Sequence, residues 1–200
     1  VPAGLPPQSA GIYGYLGYEM VRHMEVLPNG NPRDIDTPEA VLMRPSLLAI
    51  FDTVKDELYL TAPVYVRDSV SARQALEAAE GRIDDAIARL GRTLPATPAL
   101  PDLESIAVTS NTSKDEYFEM VRRAKEYIAA GDIFQVVLSQ RFSADFTLPP
   151  TALYRALRRT NPSPYMYFLD FGDFAVAGSS PEILVRVQNG EVTIRPIAGT

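Results

Sequence analysis

The chain has 200 residues, 46% of them hydrophobic, which is enough for one large domain or two small ones with a packed core. Its 19 basic and 25 acidic residues give a formal net charge of −6, which disfavours a nucleic-acid partner. The absence of cysteine excludes disulfides and thiolate chemistry, the single histidine excludes a histidine-rich metal site, and no apolar run is long enough to span a bilayer.

The first half of the chain predicts a short helix, a hairpin and a longer helix, in that order. The glycines of "GIYGYLG" permit a turn or a close backbone approach, and a short helix is then expected to carry Leu16, Met20 and Met24 inward. "SLLAIFDTV" and "ELYLTAPVYV" predict two strands of a hairpin, and apolar residues at helical spacing predict a helix over 71–90. The proline-rich stretch "GRTLPATPALPDLES" then predicts a linker.

The second half predicts helices packed on antiparallel strands. Ser113 and Glu116 form a capping box at the start of a helix that Gly131 is placed to end. "IFQVVLSQRF" predicts a strand, "TALYRALRR" a helix, and "YMYFLDF", "FAVAGS" and "ILVRVQNGEVTIRPI" an antiparallel meander. Asn189-Gly190 is a strong hairpin signal within the last of these. The fold class is therefore expected to be α+β, with helices packed against antiparallel sheets.

Two polar residues lie where strands could hold them for chemistry. Gln135 interrupts a predicted strand, and an inward-facing amide there would need partners that a ligand could supply. Glu182 follows Pro181 at the start of another alternating run, and a carboxyl shielded from water there would have a raised pKa and could donate a proton. From the residues alone, an ordinary solvated glutamate is the favoured interpretation.

Two further stretches suit a ligand as well as a plain turn or connector. The small residues of "RPIAGT" allow a ligand to approach the backbone closely, and a turn before another strand explains them equally well. In "NPSPYMYF" two prolines stiffen the chain before an aromatic strand, which fits a rigid connector or a preformed apolar groove.

Several of these stretches occur in the order and spacing of a known family. "AKEYIAAGDIFQVVLSQRF", "NPSPYMYFLDF", "GSSPEILV" and "RPIAGT" together resemble the large subunit, component I, of anthranilate synthase, a chorismate-utilising enzyme. "GIYGYLGYEMV" is similar to a segment of that subunit's N-terminal region. The resemblance runs through essentially the whole chain and implies the α+β chorismate-binding fold.

The resemblance also implies roles for the two polar residues. In the family the glutamate of "SPE", here Glu182, is the general acid that protonates the departing C4 hydroxyl of chorismate. Gln135 stands where relatives that add water at C2 carry a lysine that serves as the base. An amide cannot be that base, which suits ammonia as the nucleophile.

The "PI-x-GT" motif of the family is expected to lie against bound chorismate through Ala198, Gly199 and Thr200. Aminodeoxychorismate synthases commonly carry a lysine nucleophile at x, whereas anthranilate synthases carry the alanine found here. "NPSPYMYF" resembles the feedback site for L-tryptophan, which implies that Asn161, Pro164, Tyr165 and Met166 bind this inhibitor.

By the same resemblance, residues 1–98 belong to the N-terminal regulatory region, 99–112 are a linker, and 113–200 begin the catalytic domain, truncated at Thr200. The ligands of the Mg²⁺ cofactor are expected beyond Thr200, with none in this chain. The implied partners are chorismate and a glutamine amidotransferase subunit, component II, in a cytoplasmic hetero-oligomer with no nucleic acid or membrane. We expect these 200 residues alone to be inactive.

Three alternatives remain open at this point. Aminodeoxychorismate synthase is disfavoured by Ala198, and the synthesis of isochorismate or salicylate is disfavoured by Gln135. The third alternative is a tryptophan-binding regulatory module without catalytic activity.

Overall fold

The computed structural model describes residues 1–28, 33–66, 69–94 and 106–195. The chain divides into two compact units, Val1–Thr97 and Pro98–Thr200, each with its own helices and strands. Helices and antiparallel strands occur in both units, so the predicted α+β class is confirmed.

In its described residues, the first unit contains two antiparallel strand pairs and one long helix. Its elements are β1 (Tyr13–Leu16), β2 (Ala40–Met43), β3 (Leu48–Asp52), β4 (Glu57–Thr61) and α1 (Ala72–Leu90), with short 3-10 helices at Pro7–Ser9 and Tyr18–His23. Strand β1 pairs with β2, and β3 pairs with β4. The predicted hairpin is thus confirmed, and its turn contains Asp56 at a φ of 56°.

The glycine-rich start shows one correct and one wrong prediction. A Cβ on Gly14 would lie 1.8 Å from the Val41 carbonyl oxygen across the β1–β2 ladder, so the predicted close backbone approach is confirmed. Leu16 and Met24, however, are 64% and 77% exposed, so the prediction that they point inward is wrong. The helix between them is a short 3-10 turn, whose tighter geometry does not place these side chains on one buried face.

Helix α1 confirms the helix predicted over 71–90. Its N-terminus has a capping box in which the Ser71 side chain accepts from the Gln74 N–H and the Gln74 side chain accepts from the Ser71 N–H. Ala75 and Ala79 are buried on one side of the helix. Arg82 fastens the helix to the loop before β3 through a 3.0 Å hydrogen bond from Nε to the Ser46 carbonyl oxygen.

Over residues 106–195, the second unit contains three antiparallel strand pairs and two helices. Its elements are β5 (Val108–Ser110), α2 (Lys114–Ala130), β6 (Phe142–Ala144), α3 (Pro150–Thr160), β7 (Tyr165–Asp170), β8 (Ala175–Ser180), β9 (Arg186–Gln188) and β10 (Glu191–Thr193). The pairs are β5–β6, β7–β8 and β9–β10. Strand β5 lies inside the segment predicted as a linker.

The predicted ends of α2 are confirmed. The Ser113 Oγ accepts from the Glu116 N–H at 3.2 Å, and the Glu116 carboxylate accepts from the Ser113 N–H at 2.8 Å. Gly131 ends the helix in the left-handed conformation at a φ of 82°. The Asn-Gly hairpin is confirmed too, with Asn189 and Gly190 at φ values of 53° and 82° between β9 and β10.

The long strand predicted over "IFQVVLSQRF" is wrong except at its last residue, Phe142, where β6 begins. A strand needs a neighbour for its backbone N–H and C=O groups, and β5 offers only three residues for pairing. The apolar side chains of Ile133, Val136 and Leu138 instead line a cleft of about 190 Å³ against α2. Likewise, the described strands of 165–193 form two separate ladders and not one meander.

Helix α3 packs on one face of the β7–β8 hairpin. The Tyr154 ring lies 5.6 Å, centroid to centroid, from the Phe168 ring on β7. Phe168 pairs with Ala177, and Met166 pairs with Ser179, so these four residues share the helix side of the hairpin. Tyr165, Tyr167, Gly178 and Ser180 share the opposite face. This hairpin leads directly to Glu182.

Candidate functional site

The strand β8 ends in a turn that fixes the backbone of Glu182. Proline at 181 has no N–H and restricts Ser180 before it to extended conformations, which suits the last residue of a strand. The Ser180 hydroxyl donates to the Glu182 carbonyl oxygen at 2.9 Å and accepts a longer contact, 3.4 Å, from the Glu182 N–H. The predicted continuation as a strand from Ile183 is wrong, because β9 begins only at Arg186.

The "NPSPYMYF" stretch is fastened to this same strand by two serine hydroxyls. Ser163 Oγ donates to the Ser180 carbonyl oxygen, and Ser179 Oγ donates to the Asn161 carbonyl oxygen, both at 2.6 Å. Tyr165 lies opposite Ser180 in the ladder. The residues predicted to bind tryptophan and the predicted acid, Glu182, therefore belong to one hydrogen-bonded substructure.

An aromatic side chain covers the strand just before the turn. A Cβ on Gly178 would lie 2.1 Å from Cζ of the Tyr167 ring, so only glycine allows the ring to lie flat on β8 at this point. The ring stands on the face that carries Tyr165 and Ser180, opposite to the face covered by α3. It therefore forms part of the surface beside Glu182's turn.

The side chain of Glu182 is half-buried. Within the described ranges, its carboxylate makes no hydrogen bond and no ion pair. Its backbone is thus fixed while its carboxylate keeps its hydrogen-bonding capacity for another group. Its role as an acid stays a prediction.

The four residues predicted to bind tryptophan lie just before β7 and in its first two positions. Asn161 follows the last residue of α3, and Pro164, Tyr165 and Asn161 are exposed, whereas Met166 is half-buried on the helix side. Exposure of the first three leaves them accessible to a ligand.

The remaining predicted residues lie elsewhere or outside the described ranges. Gln135 is exposed in the segment after α2, and the prediction that it sits within a strand is wrong. Ala198, Gly199 and Thr200 lie outside the residues that the structure describes. In the described part of the chain, no three His, Cys, Asp or Glu side chains are grouped to hold a metal ion. No helix in that part combines the length and the apolar character needed to cross a membrane.

A family model for chorismate binding enzymes matches residues 2–200. The chain belongs to the chorismate binding enzyme family. Within that family it is 52% identical, over its whole length, to anthranilate synthase component 1 of Cereibacter sphaeroides, and 44% identical over 98% of its length to that of Thermus thermophilus. The predicted resemblance to anthranilate synthase component I is thereby confirmed.

The same family provides a solved structure with this fold. The crystal structure of anthranilate synthase component I from Streptococcus pneumoniae covers 97% of the chain with a TM-score of 0.82 and 34% identity. The chain spans 43% of that protein and about 40% of the curated relatives that it matches.

Sequence reasoning missed the serines that organise the site. The hydroxyls of Ser163 and Ser180 stand beside prolines, which lack an N–H, and the hydroxyl of Ser179 ties β8 to the Asn161 carbonyl group. The available signals were the proline on each side of Ser163 and the Ser-Pro pair before Glu182, because a hydroxyl beside a proline often closes a turn.

Proposed function

We propose that the protein containing this chain is anthranilate synthase component I, which converts chorismate and ammonia into anthranilate and pyruvate. The observation that carries this proposal is the 52% identity across the entire chain to a relative of that name. Fold and turn geometry agree with the proposal, since the hairpin presents a carboxylate on a rigid backbone.

The chemistry asks for two steps at the ring of chorismate. Ammonia forms a bond to C2 and gives up one proton, while the bond to the C4 hydroxyl breaks and that hydroxyl leaves as water after receiving a proton. Loss of the proton at C2 and cleavage of the bond between C3 and the ether oxygen then release the side chain, which takes up a proton to become pyruvate, and leave the aromatic product. We propose that Glu182 donates the proton to the C4 hydroxyl. The backbone of Glu182 is fixed by Ser180, and its carboxyl has no hydrogen-bond partner within the described part of the chain. A positioned general acid contributes roughly 10²–10⁴-fold to rate.

Two other predicted residues define which sister reaction is proposed. Gln135, an amide, provides no base to activate water, which favours ammonia as the nucleophile over hydroxylation at C2. Ala198 provides no amine to attack C2, which favours anthranilate over the aminodeoxychorismate reaction. Gly199 and Thr200 are proposed to lie against chorismate beside it.

The described residues do not provide a binding site for the proposed Mg²⁺ cofactor. The described residues hold no cluster of three carboxylate or imidazole side chains, so we propose that its ligands come from other parts of the protein. An amidotransferase subunit is proposed as the source of ammonia, in a cytoplasmic hetero-oligomer.

Feedback inhibition by L-tryptophan is proposed at Asn161, Pro164, Tyr165 and Met166. The support is structural proximity, because Ser163 and Ser179 tie this stretch to the strand that leads to Glu182. Calorimetric titration of the full-length protein with L-tryptophan tests it. Binding without any turnover of chorismate would favour the regulatory module over the enzyme.

The test of the reaction uses the full-length protein with chorismate, Mg²⁺ and ammonium, and identifies the product by mass and fluorescence. Anthranilate is expected, whereas aminodeoxychorismate would refute the argument from Ala198. Glu182→Gln is expected to lower kcat by about 10²–10⁴-fold with folding intact. The matched control is Glu191→Gln on an exposed strand position, which should leave kcat unchanged. Equal rates in the two variants would refute the acid role.

A further inference from the structure

We propose that Ser180 is a positioning residue that sets the direction of the Glu182 carboxyl. This inference rests on the proposed role of Glu182 as the acid. In this role Ser180 acts through the backbone of Glu182, with which its hydroxyl makes both of its contacts.

The hydroxyl of Ser180 supplies a turn contact that the backbone of Pro181 cannot make. Between the end of β8 and Glu182 stands Pro181, which has no N–H to offer to a turn. The hydroxyl of Ser180 replaces it, since it donates to the carbonyl oxygen of Glu182 at 2.9 Å and receives the N–H of the same residue at 3.4 Å. The backbone N–H and C=O groups of Glu182 thus both hydrogen-bond to one hydroxyl. These bonds restrict the backbone dihedral angles of Glu182, and those angles set the direction in which its side chain leaves the backbone.

The peptide group between Ser180 and Pro181 is held by Ser163. The carbonyl group of Ser180 belongs to the peptide that joins it to Pro181, and Ser163 Oγ donates to its oxygen at 2.6 Å. Ser163 itself stands between Pro162 and Pro164, whose rings fix the neighbouring φ angles. The peptide plane before Pro181 is therefore held from outside the turn, and the hydroxyl of Ser180 acts on a frame that is already fixed.

The direction of the Glu182 carboxyl affects the rate at which it can donate its proton. A general acid works only when its proton lies within hydrogen-bond reach of the reacting oxygen, and a misplacement of about 1 Å can cost about 10²-fold in rate. Loss of the Ser180 hydroxyl leaves the Glu182 carboxyl chemically unchanged and releases only its direction. We therefore expect a decrease in kcat without a change in the KM for chorismate.

The test compares Ser180→Ala, Ser180→Thr and Ser110→Ala in the full-length protein with chorismate, Mg²⁺ and ammonium. Ser110 is a matched control because its hydroxyl closes the same kind of turn at the end of β5, where it donates to the Thr112 carbonyl oxygen at 2.8 Å and accepts from the Thr112 N–H at 3.2 Å. We expect Ser180→Ala to lower kcat by about tenfold or more with KM unchanged. Threonine at 180 should restore most of the rate, since it keeps the hydroxyl, and Ser110→Ala should keep the wild-type kcat.

Combination with Glu182→Gln separates this inference from the proposed function. In the Glu182→Gln protein, Ser180→Ala should cause no further decrease, because the group that it positions is gone. A full additional decrease, or a kcat for Ser180→Ala equal to that for Ser110→Ala, would overturn the positioning role while leaving Glu182 as the acid. Wild-type turnover by Glu182→Gln would overturn the acid role and this inference with it.

Discussion

Replacement of Gly178 by alanine should destabilise the hairpin that carries the proposed acid. The added Cβ would lie 2.1 Å from Cζ and 2.3 Å from Oη of Tyr167. To reach the 3.4 Å of ordinary van der Waals contact, the end of the ring must move by about 1.3 Å. Backbone and ring cannot both keep their places, and the side chain is the softer of the two.

The magnitude follows from three opposing contributions. A ring forced off its preferred rotamer costs about 0.5–1.5 kcal/mol, and loss of the cross-strand contact costs about 0.2–1 kcal/mol. Alanine reduces the conformational entropy of the unfolded chain and returns about 0.5–1 kcal/mol. The free energy of unfolding should therefore fall by about 1 kcal/mol.

Urea unfolding of the full-length protein, followed by circular dichroism, measures this change. The matched control is Gly81→Ala in the middle of α1, where an added Cβ meets nothing within 4 Å and stability should rise by about 1 kcal/mol. In a Tyr167→Val background, Gly178→Ala should become stabilising, because the obstructing ring is absent. If Gly178→Ala has the same effect with and without the Tyr167 ring, the steric argument is refuted.

Two further predictions concern the N-terminal cap of α2 and the turn between β9 and β10. Ser113→Ala should cost about 1 kcal/mol through loss of the α2 cap, measured by urea unfolding. Hydrogen bonds from Ser113 hold the pKa of Glu116 below its usual value of 4.5, so the cap's stabilisation is complete above that pH and is lost as the pH falls through the lowered pKa. The acid limb of the stability profile should therefore flatten in Ser113→Ala, and an unchanged limb would contradict this reasoning. Gly190→Ala should lower the melting temperature, since its φ of 82° costs about 1–2 kcal/mol for a residue with a Cβ, and an unaltered melting temperature would count against the turn type.

The elements that the sequence predicted well depend on contacts between near neighbours. The capping box of Ser113 and Glu116, the left-handed Gly131 and the Asn189-Gly190 turn each involve residues within four positions of one another. Such signals are complete within a short stretch of sequence, so no knowledge of the distant chain is needed to use them.

The predictions that failed depend on distant partners. Residues 133–141 have the composition of a strand, but a strand exists only where another backbone completes its hydrogen bonds, and β5 is three residues long. Leu16 and Met24 were expected to be buried because their spacing fits one face of a helix, yet burial is decided by what packs against them.

The candidate site divides in the same way. Glu182 was found through its motif and the resemblance, whereas the serine contacts join residues 17 or 18 positions apart and become visible only in the folded hairpin. A proline beside a serine signals that a hydroxyl is needed, but the sequence does not say which carbonyl it will meet.

The prolines at 162, 164 and 181 also decide how movements in this region can be observed. Proline carries no amide hydrogen, so hydrogen exchange and amide nuclear magnetic resonance report on only part of the stretch from Asn161 to Tyr165, and skip the residue before Glu182. A shift on ligand binding that is confined to the stretch from Asn161 to Tyr165 or to the turn before Glu182 would change few amide signals. Isotope labels on the Met166 methyl group and on the rings of Tyr165 and Tyr167 give probes at the place where backbone amides are missing.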